Sequence, residues 1–474
     1  MRRVLPRLAA LLIAGAALSA CTLAPDYQRP TLPVAQAWPA QGAPVAADQA
    51  SAGDLAWKSV FLDARLQGVI DLALRENRDL RVAVGNIAKA RAQYGVQRAE
   101  LFPSISAGAA ASRSRTAASL TGTGSAVEAR EYSANVGLAS YEVDLFGRIR
   151  SLNEAALQSY FAAEQNRRAA QITLIGEVAT DYLTLAADQD LAKLAQTTLA
   201  SRDESLRLTR SRFQAGAASE LDVDQAQTLA EQARSDLATA TARVNQDVNA
   251  LRLVVGAEIP ADLMPAGDVQ SVALRQDLPP GLPSDVLVRR PDVLSAEDAL
   301  KAQNADIGAA RAAFFPKITL TGQAGTASTD LAGLFSPGSG AWSFAPQVSL
   351  PIFNGGANRA NLEAAKAGKD IAVAQYEKAI QSAFRDVADA LAVQATIADR
   401  IASQERLVAA ADSARRLSQA RYDRGVDSYL TLLDAQRTLY GAQQTLIAAR
   451  LAQASNRVSL YGALGGGASD SPPP

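Results

Sequence analysis

The 474-residue chain offers few side chains for chemistry. It has no histidine, so the commonest general base and metal ligand is missing. Its one cysteine, Cys21, excludes an internal disulfide and any multi-cysteine metal cluster. Cys21 is nevertheless set up for a particular reaction. It follows Leu18-Ser19-Ala20, and Leu-Ser-Ala-Cys matches the bacterial lipobox. The expected product is a cysteine carrying a diacylglycerol and an N-acyl chain as the first residue of the mature protein. No other cofactor is expected.

The remaining reactive groups are carboxylates, 48 Asp and Glu against 47 Lys and Arg. That balance argues against nucleic acid, which needs a basic surface. Leu430, Asp434 and Arg437 stand four and three apart, which puts them on one helical face. Arg437 and Gln444 interrupt a seam otherwise formed by Leu430, Leu451 and Val458. Read from spacing, Asp434 and Arg437 make a surface salt bridge worth under about 1 kcal/mol. A carboxylate-based cell-wall enzyme finds no support. There is no Gly-rich phosphate loop, because Gly368-Lys369 lacks an upstream glycine at 363, and no acidic pair stands apart from helical faces. The chain reads as architecture, not as an enzyme.

The elements that position these residues follow from pattern. Arg2, Arg3 and Arg7 precede an apolar run from Leu8 to Ala17, a secretory signal over 1–20 too short to span a membrane. Thr22 stands where an aspartate would mark inner-membrane retention, which favours the outer membrane. Proline-rich residues then form a tether over 21–60, a linker over 260–283 divides the chain, and 467–474 is a disordered tail. The two halves, 61–259 and 284–466, repeat each other. Ala99-Glu100-Leu101-Phe102-Pro103-Ser104-Ile105 recurs as Ala312-Ala313-Phe314-Phe315-Pro316-Lys317-Ile318. Leu208 to Gly216 recurs as Leu417 to Gly425. Each half predicts helix, two strands, a long helix, a turn and a further helix. The long helices, about 148–214 and 355–424, contain no proline and would each reach about 100 Å. Heptad seams follow, Val223 to Leu251 and Leu433 to Tyr461, and predict supercoiled packing.

Strands are expected at about 104–115, 132–144, 317–328 and 342–350. Phe344, Pro346, Val348 and Leu350 alternate with Ser343, Ala345, Gln347 and Ser349, which fits a membrane barrel with a wet lumen or a half-buried soluble sheet. Phe102, Phe146, Phe315 and Phe353 stand at the strand–helix junctions, as membrane-interface aromatics would. Four strands cannot close a barrel, since known ones begin at about eight. The chain must therefore oligomerise if the strands span a membrane, and closure alone admits a dimer as well as a trimer.

The turns between long and following helices are Gly216-Ala217-Ala218-Ser219-Glu220-Leu221 and Gly425-Val426-Asp427-Ser428-Tyr429-Leu430. Glycine suits a left-handed C-cap, and Ser219 with Asp427 or Ser428 suits an N-cap.

These residues resemble the TolC family of outer-membrane factors, and most nearly its OprM-like lipoprotein branch. The markers are Pro25-Asp26-Tyr27-Gln28-Arg29-Pro30, Tyr141-Glu142-Val143-Asp144-Leu145-Phe146-Gly147-Arg148, Gly308 to Pro316, Tyr429 to Arg437 and Ala463-Leu464-Gly465-Gly466-Gly467. The resemblance implies an α+β fold. Three copies would build a twelve-stranded outer-membrane β-barrel, four strands per chain, continuous with a long periplasmic α-helical barrel. It implies an exit duct of a tripartite efflux pump for drugs and other small solutes. Its partners would be two further copies, a periplasmic membrane-fusion adaptor, an inner-membrane pump of the resistance-nodulation-division type and outer-membrane lipid.

By the same resemblance Gly216, Ala217, Ser219, Leu221, Gly425, Val426 and Ser428 would dock the adaptor. Leu430 would form an apolar ring and Asp434 an acidic ring at the periplasmic constriction, with Arg437 beside them. Tyr422 and Asp222 would form a hydrogen-bonded pair that ties one hairpin to another in the closed state. Thr431 stands where some relatives carry a second aspartate, so a second acidic ring is not expected. The competing expectation is a lipoprotein adaptor or coiled-coil scaffold with no channel, which would carry one hairpin and flanking soluble β domains.

Overall fold

Stretches free of proline and bounded by glycine become the longest elements of the computed structural model, which describes residues 22–39, 52–122, 124–281 and 283–467. The signal sequence, the lipidation candidate Cys21 and the tail beyond residue 467 lie outside the described residues. In chain order the helices are α1 (Ala64–Glu76), α2 (Arg78–Ala99), α3 (Arg148–Gln214), α4 (Glu220–Val255), α5 (Pro283–Leu287), α6 (Pro291–Ala312), α7 (Ala357–Asp423) and α8 (Tyr429–Ala463). The strands are β1 (Ile105–Thr116), β2 (Val127–Val143), β3 (Lys317–Ser328) and β4 (Gly340–Ser349). α3 and α7 each run 67 residues. Among the described residues no helix is long and apolar enough to cross a membrane.

The described residues divide into two compact units, the first comprising the described parts of 1–30, 86–163 and 295–376. It contains one antiparallel sheet in the order β1-β2-β3-β4. Residues directly opposite one another share a face, and the register sorts them by polarity. Ile105, Leu138, Gly322 and Phe344 form one row, and Ala107, Val136, Ala324 and Trp342 form the next on the same side. Rows on the other face are polar: Ser106, Gly137, Gln323 and Ser343 form one of them. β2 carries a bulge between Leu138 and Tyr141, with Ser140 at φ 51°. The extra residue keeps both Leu138 and Tyr141 on the apolar side despite their odd separation. No described residue of the sheet is buried, and β1 and β4 are each paired on one side only.

β2 begins at Val127, five residues before the expected 132. Glu128, Arg130 and Glu131 obscure the alternation there, yet Arg113 on β1 pairs with Glu128 at 2.8 Å and keeps the ladder going.

The start of the segment expected to be a tether is bound, not loose. Glu297, 2% exposed on α6, accepts Nε and Nη2 of Arg29 at 3.0 and 2.8 Å and the Tyr27 hydroxyl at 3.1 Å. Asn304 and Arg311 donate to the carbonyls of Pro25 and Leu23 at 2.6 and 3.0 Å. Gly308 has no room for a side chain, because an added Cβ would lie 2.7 Å from the Ala24 nitrogen.

The second unit comprises the described parts of 31–85, 164–294 and 377–474. Its fully buried side chains include Phe61, Tyr182, Leu183, Leu251 and Tyr461. Trp38 stacks on Phe384 with centroids 5.0 Å apart and donates to the Gly281 carbonyl at 2.9 Å. The helices α3 with α4, and α7 with α8, form two hairpins whose ends lie in this unit.

Candidate functional site

The hairpin ends are built from the repeated motif, and both stop a long helix in the same way. Gly216 and Gly425 adopt left-handed φ of 74° and 70°. Beside them Ala217 N–H returns to the Arg212 carbonyl at 2.8 Å, and Val426 N–H to the Arg421 carbonyl at 2.9 Å. Both are six-to-one closures that satisfy carbonyls at the end of a helix. The starts of α4 and α8 differ. Ser219 caps α4 through a capping box, its hydroxyl accepting from Asp222 N–H while Asp222 Oδ2 accepts from the Ser219 N–H at 2.9 Å and its hydroxyl at 2.8 Å. Ser428 occupies the cap position of α8 without a side-chain capping bond. Asp427 is not a cap: it receives Arg421 Nε and Nη2 at 2.5 and 2.8 Å, and this hydrogen bonding holds its carboxyl below the ordinary range. Leu221 and Val426 are exposed at these turns.

One apolar cluster joins the hairpins near their ends. Leu206, Ala226, Leu229 and Ala230 pack with Tyr429, Leu432 and Leu433, and Val223 and Tyr422 close over it. Burial pushes the Tyr429 phenol up from its ordinary value. Tyr422 faces Tyr429 with centroids 5.1 Å apart, and the Arg212 guanidinium lies 4.9 Å from the Tyr422 ring. Arg212 also meets Asp423 at 3.2 Å.

Asp222 and Tyr422, expected as a pair, are not hydrogen-bonded to each other among the described residues. The capping box takes the Asp222 carboxylate, and Tyr422 is engaged by Arg212 and Tyr429. Leu430, Asp434 and Arg437 are exposed together, while Tyr429, Leu432, Leu433 and Gln436 form the buried face of α8. Arg212, Asp423 and the Arg421–Asp427 pair were not singled out from sequence. Arg212 and Arg421 occupy equivalent positions of the duplicated motif, and that recurrence was the available signal.

At the strand–helix ends Phe146 and Phe315 stack, 4.7 Å between centroids and 22° between planes. Phe102 and Phe353 are exposed, Phe353 to 91%. Beside the stack Glu142 receives Arg148 at 2.7 Å and Lys317 at 2.8 Å. Among the described residues no cluster of acidic side chains is arranged to hold a metal.

The duplicated hairpins and the one-faced sheet occur together in known proteins. Residues 69–257 and 282–466 match the family described as outer membrane efflux protein. The chain belongs to this family. It is 48% identical to the probable efflux pump outer membrane protein TtgC of Pseudomonas putida, over 97% of this chain and 95% of that one. It is 45% identical to the outer membrane protein OprJ of Pseudomonas aeruginosa, over 98% and 97%. Among solved structures it is similar to a membrane protein from Pseudomonas aeruginosa, with 44% identity and TM-score 0.88 over 94% of this chain and 100% of the other. It is also similar to the open state of the Neisseria gonorrhoeae MtrE outer membrane channel, with 41% identity and TM-score 0.84 over 94% and 98%. An outer membrane efflux protein is a channel component and not an enzyme, and the adaptor reading is set aside with the enzyme reading.

Proposed function

We propose that this outer membrane efflux protein is the exit duct of a tripartite pump and works as a homotrimer. One observation supports it above the others. Each chain has a four-stranded sheet with an apolar face, no buried residue and two open edges. Such a sheet is satisfied when β4 of one copy pairs with β1 of the next and the apolar face turns to lipid. Three copies make a twelve-stranded barrel, with Phe102, Phe146, Phe315 and Phe353 at its periplasmic lipid boundary. Acyl chains on Cys21 add a lipid anchor.

The long hairpins of three copies would line a tunnel across the periplasm. Their ends, with Leu221 and Val426 exposed, would receive a membrane-fusion adaptor linked to an inner-membrane pump of the resistance-nodulation-division type. Leu430 and Asp434 converge around the axis as an apolar and an acidic ring, and the Arg212–Tyr422–Asp423 contact holds the hairpins together in the closed state. Adaptor contact would shift the population towards the open state. Drugs and other small solutes delivered by the pump would leave through this bore.

Planar-bilayer conductance of the purified protein beside its Asp434→Ala, Tyr422→Phe double variant tests the reading. Small wild-type steps that grow in the variant are expected. Equal steps would move the gate away from the hairpin ends, and no steps from folded protein would refute the duct.

A further inference from the structure

Towards the hairpin ends, α3, α4 and α8 line a half-open cavity of about 330 Å³, with buried Arg202 from α3, Asp236 from α4 and exposed Arg437 from α8 in its wall. Arg202 is 7% exposed, and its Nη1 is buried without a hydrogen-bond partner. Native proteins rarely leave such a donor unmet, since a buried cation gains little from the surrounding dielectric and loses its water. Asp236 does not compensate it. One oxygen of that carboxylate accepts from Gln232 at 2.8 Å, and the Tyr440 hydroxyl is hydrogen-bonded to it as well. Burial lowers the affinity of Arg202 for its own proton, Tyr429 opposes this, and the nearby charge of Arg437 acts in the same direction as burial. Two guanidinium groups thus line one small cavity with a single, already engaged, carboxylate.

We propose that this cavity binds a small dissolved oxyanion of the phosphate class, which Arg202 holds from α3 and Arg437 holds from α8. Guanidinium groups recognise tetrahedral and planar oxyanions through charge-assisted hydrogen bonds. The size of the cavity and the burial of Arg202 among three helices of one chain favour a free ion over a carboxylate side chain reaching in from another copy. Because α3 and α8 belong to different hairpins, the ion bridges them. It also draws Arg437 away from the exposed face it shares with Asp434. Occupancy therefore favours the packed arrangement of the tips, a consequence that rests on the gate reading above, whereas the binding itself does not.

The test is a calorimetric titration of inorganic phosphate into the purified full-length protein in detergent, with ionic strength held constant by chloride. Saturable binding is expected, weakened at least about tenfold in Arg202→Met. Arg202→Lys, which keeps the charge and loses the fork, should fall between the two. Circular dichroism establishes that each variant is folded. Phosphate heat that does not saturate, or that is unchanged in Arg202→Met, would overturn the site. A second arm compares bilayer conductance with and without phosphate. Smaller steps in phosphate that Arg437→Gln abolishes would support the bridge. Unaltered steps in a protein that still binds phosphate would overturn the bridge and leave the duct reading untouched.

Discussion

Arg212 and Asp423 lie 211 residues apart in the chain and 3.2 Å apart in the fold. The last turn of α3 is thereby joined to the last turn of α7, with the Tyr422 ring beneath the same guanidinium. A contact this exposed adds little to folding. On the proposed gate its importance would be its position, since it spans the two hairpins where the bore would be narrowest.

Removing that contact should therefore change conduction more than stability. Arg212→Ala is expected to enlarge single-channel steps while lowering unfolding stability by under about 1 kcal/mol. Steps of wild-type size would take Arg212 out of the gate.

Asp434 is exposed beside Leu430. Rings of carboxylates attract cations and rings of leucines obstruct them. Asp434→Asn should reduce cation preference, read as a smaller reversal potential across a potassium chloride gradient. Leu430→Ala should raise conductance without that loss.

Glu297 anchors the residues that follow Cys21. Glu297→Gln leaves Arg29 and Tyr27 facing a neutral group and should cost about 1–3 kcal/mol. Limited proteolysis should then cut faster within residues 22–39, and an unchanged cleavage rate would place the anchoring elsewhere.

A carboxyl pair makes stability depend on pH. Burial first, then the hydrogen bond and charge of Asp188, push the Asp247 carboxyl from 3.8 up to about 6, with Asp181 adding and Arg243 opposing. The folded protein therefore holds this proton more tightly than the unfolded chain does. The associated stability is fully present below about pH 4 and is lost as pH rises through about 6. Asp247→Asn should raise unfolding stability at pH 7.5 by on the order of 1 kcal/mol once solvent screening of this partly exposed carboxyl is allowed for, read as a higher melting temperature, with the gain fading towards pH 4. An equal gain at both pH values would trace the effect to packing.

Much of the fold was legible in the sequence because its signals are long and repeated. Two proline-free stretches bounded by glycine, and a motif occurring twice, point to two long hairpins. The strand pattern was clear in β3 and β4, where alternation is unbroken. It was less clear in β2, where the bulge at Ser140 shifts the phase and Glu128, Arg130 and Glu131 resemble a loop.

The site was legible only in its local parts. Left-handed stops at Gly216 and Gly425 follow from residue type, and the shared exposure of Leu430, Asp434 and Arg437 follows from spacing. Contacts across hairpins do not. Asp222 had two suitable partners, and the capping box three residues away prevailed over a more distant tyrosine because the local bond forms with the helix itself. Arg202 carried no signal, since one arginine on a polar helix is ordinary until its burial is known. The proline-rich start suggested a tether because composition records the absence of helix and strand but not docking onto Glu297.

The exposed sheet has a consequence for the order of biogenesis. A sheet with no buried residue in one chain gains nothing from forming in water. The helical hairpins, which carry their own core, can fold as each chain emerges from translocation. On the proposed barrel, the strands would become stable only as copies meet and their apolar rows leave water together. In the proposed trimer, chain association and membrane insertion would thus be a single step, with a rate that rises steeply with the concentration of newly exported chains.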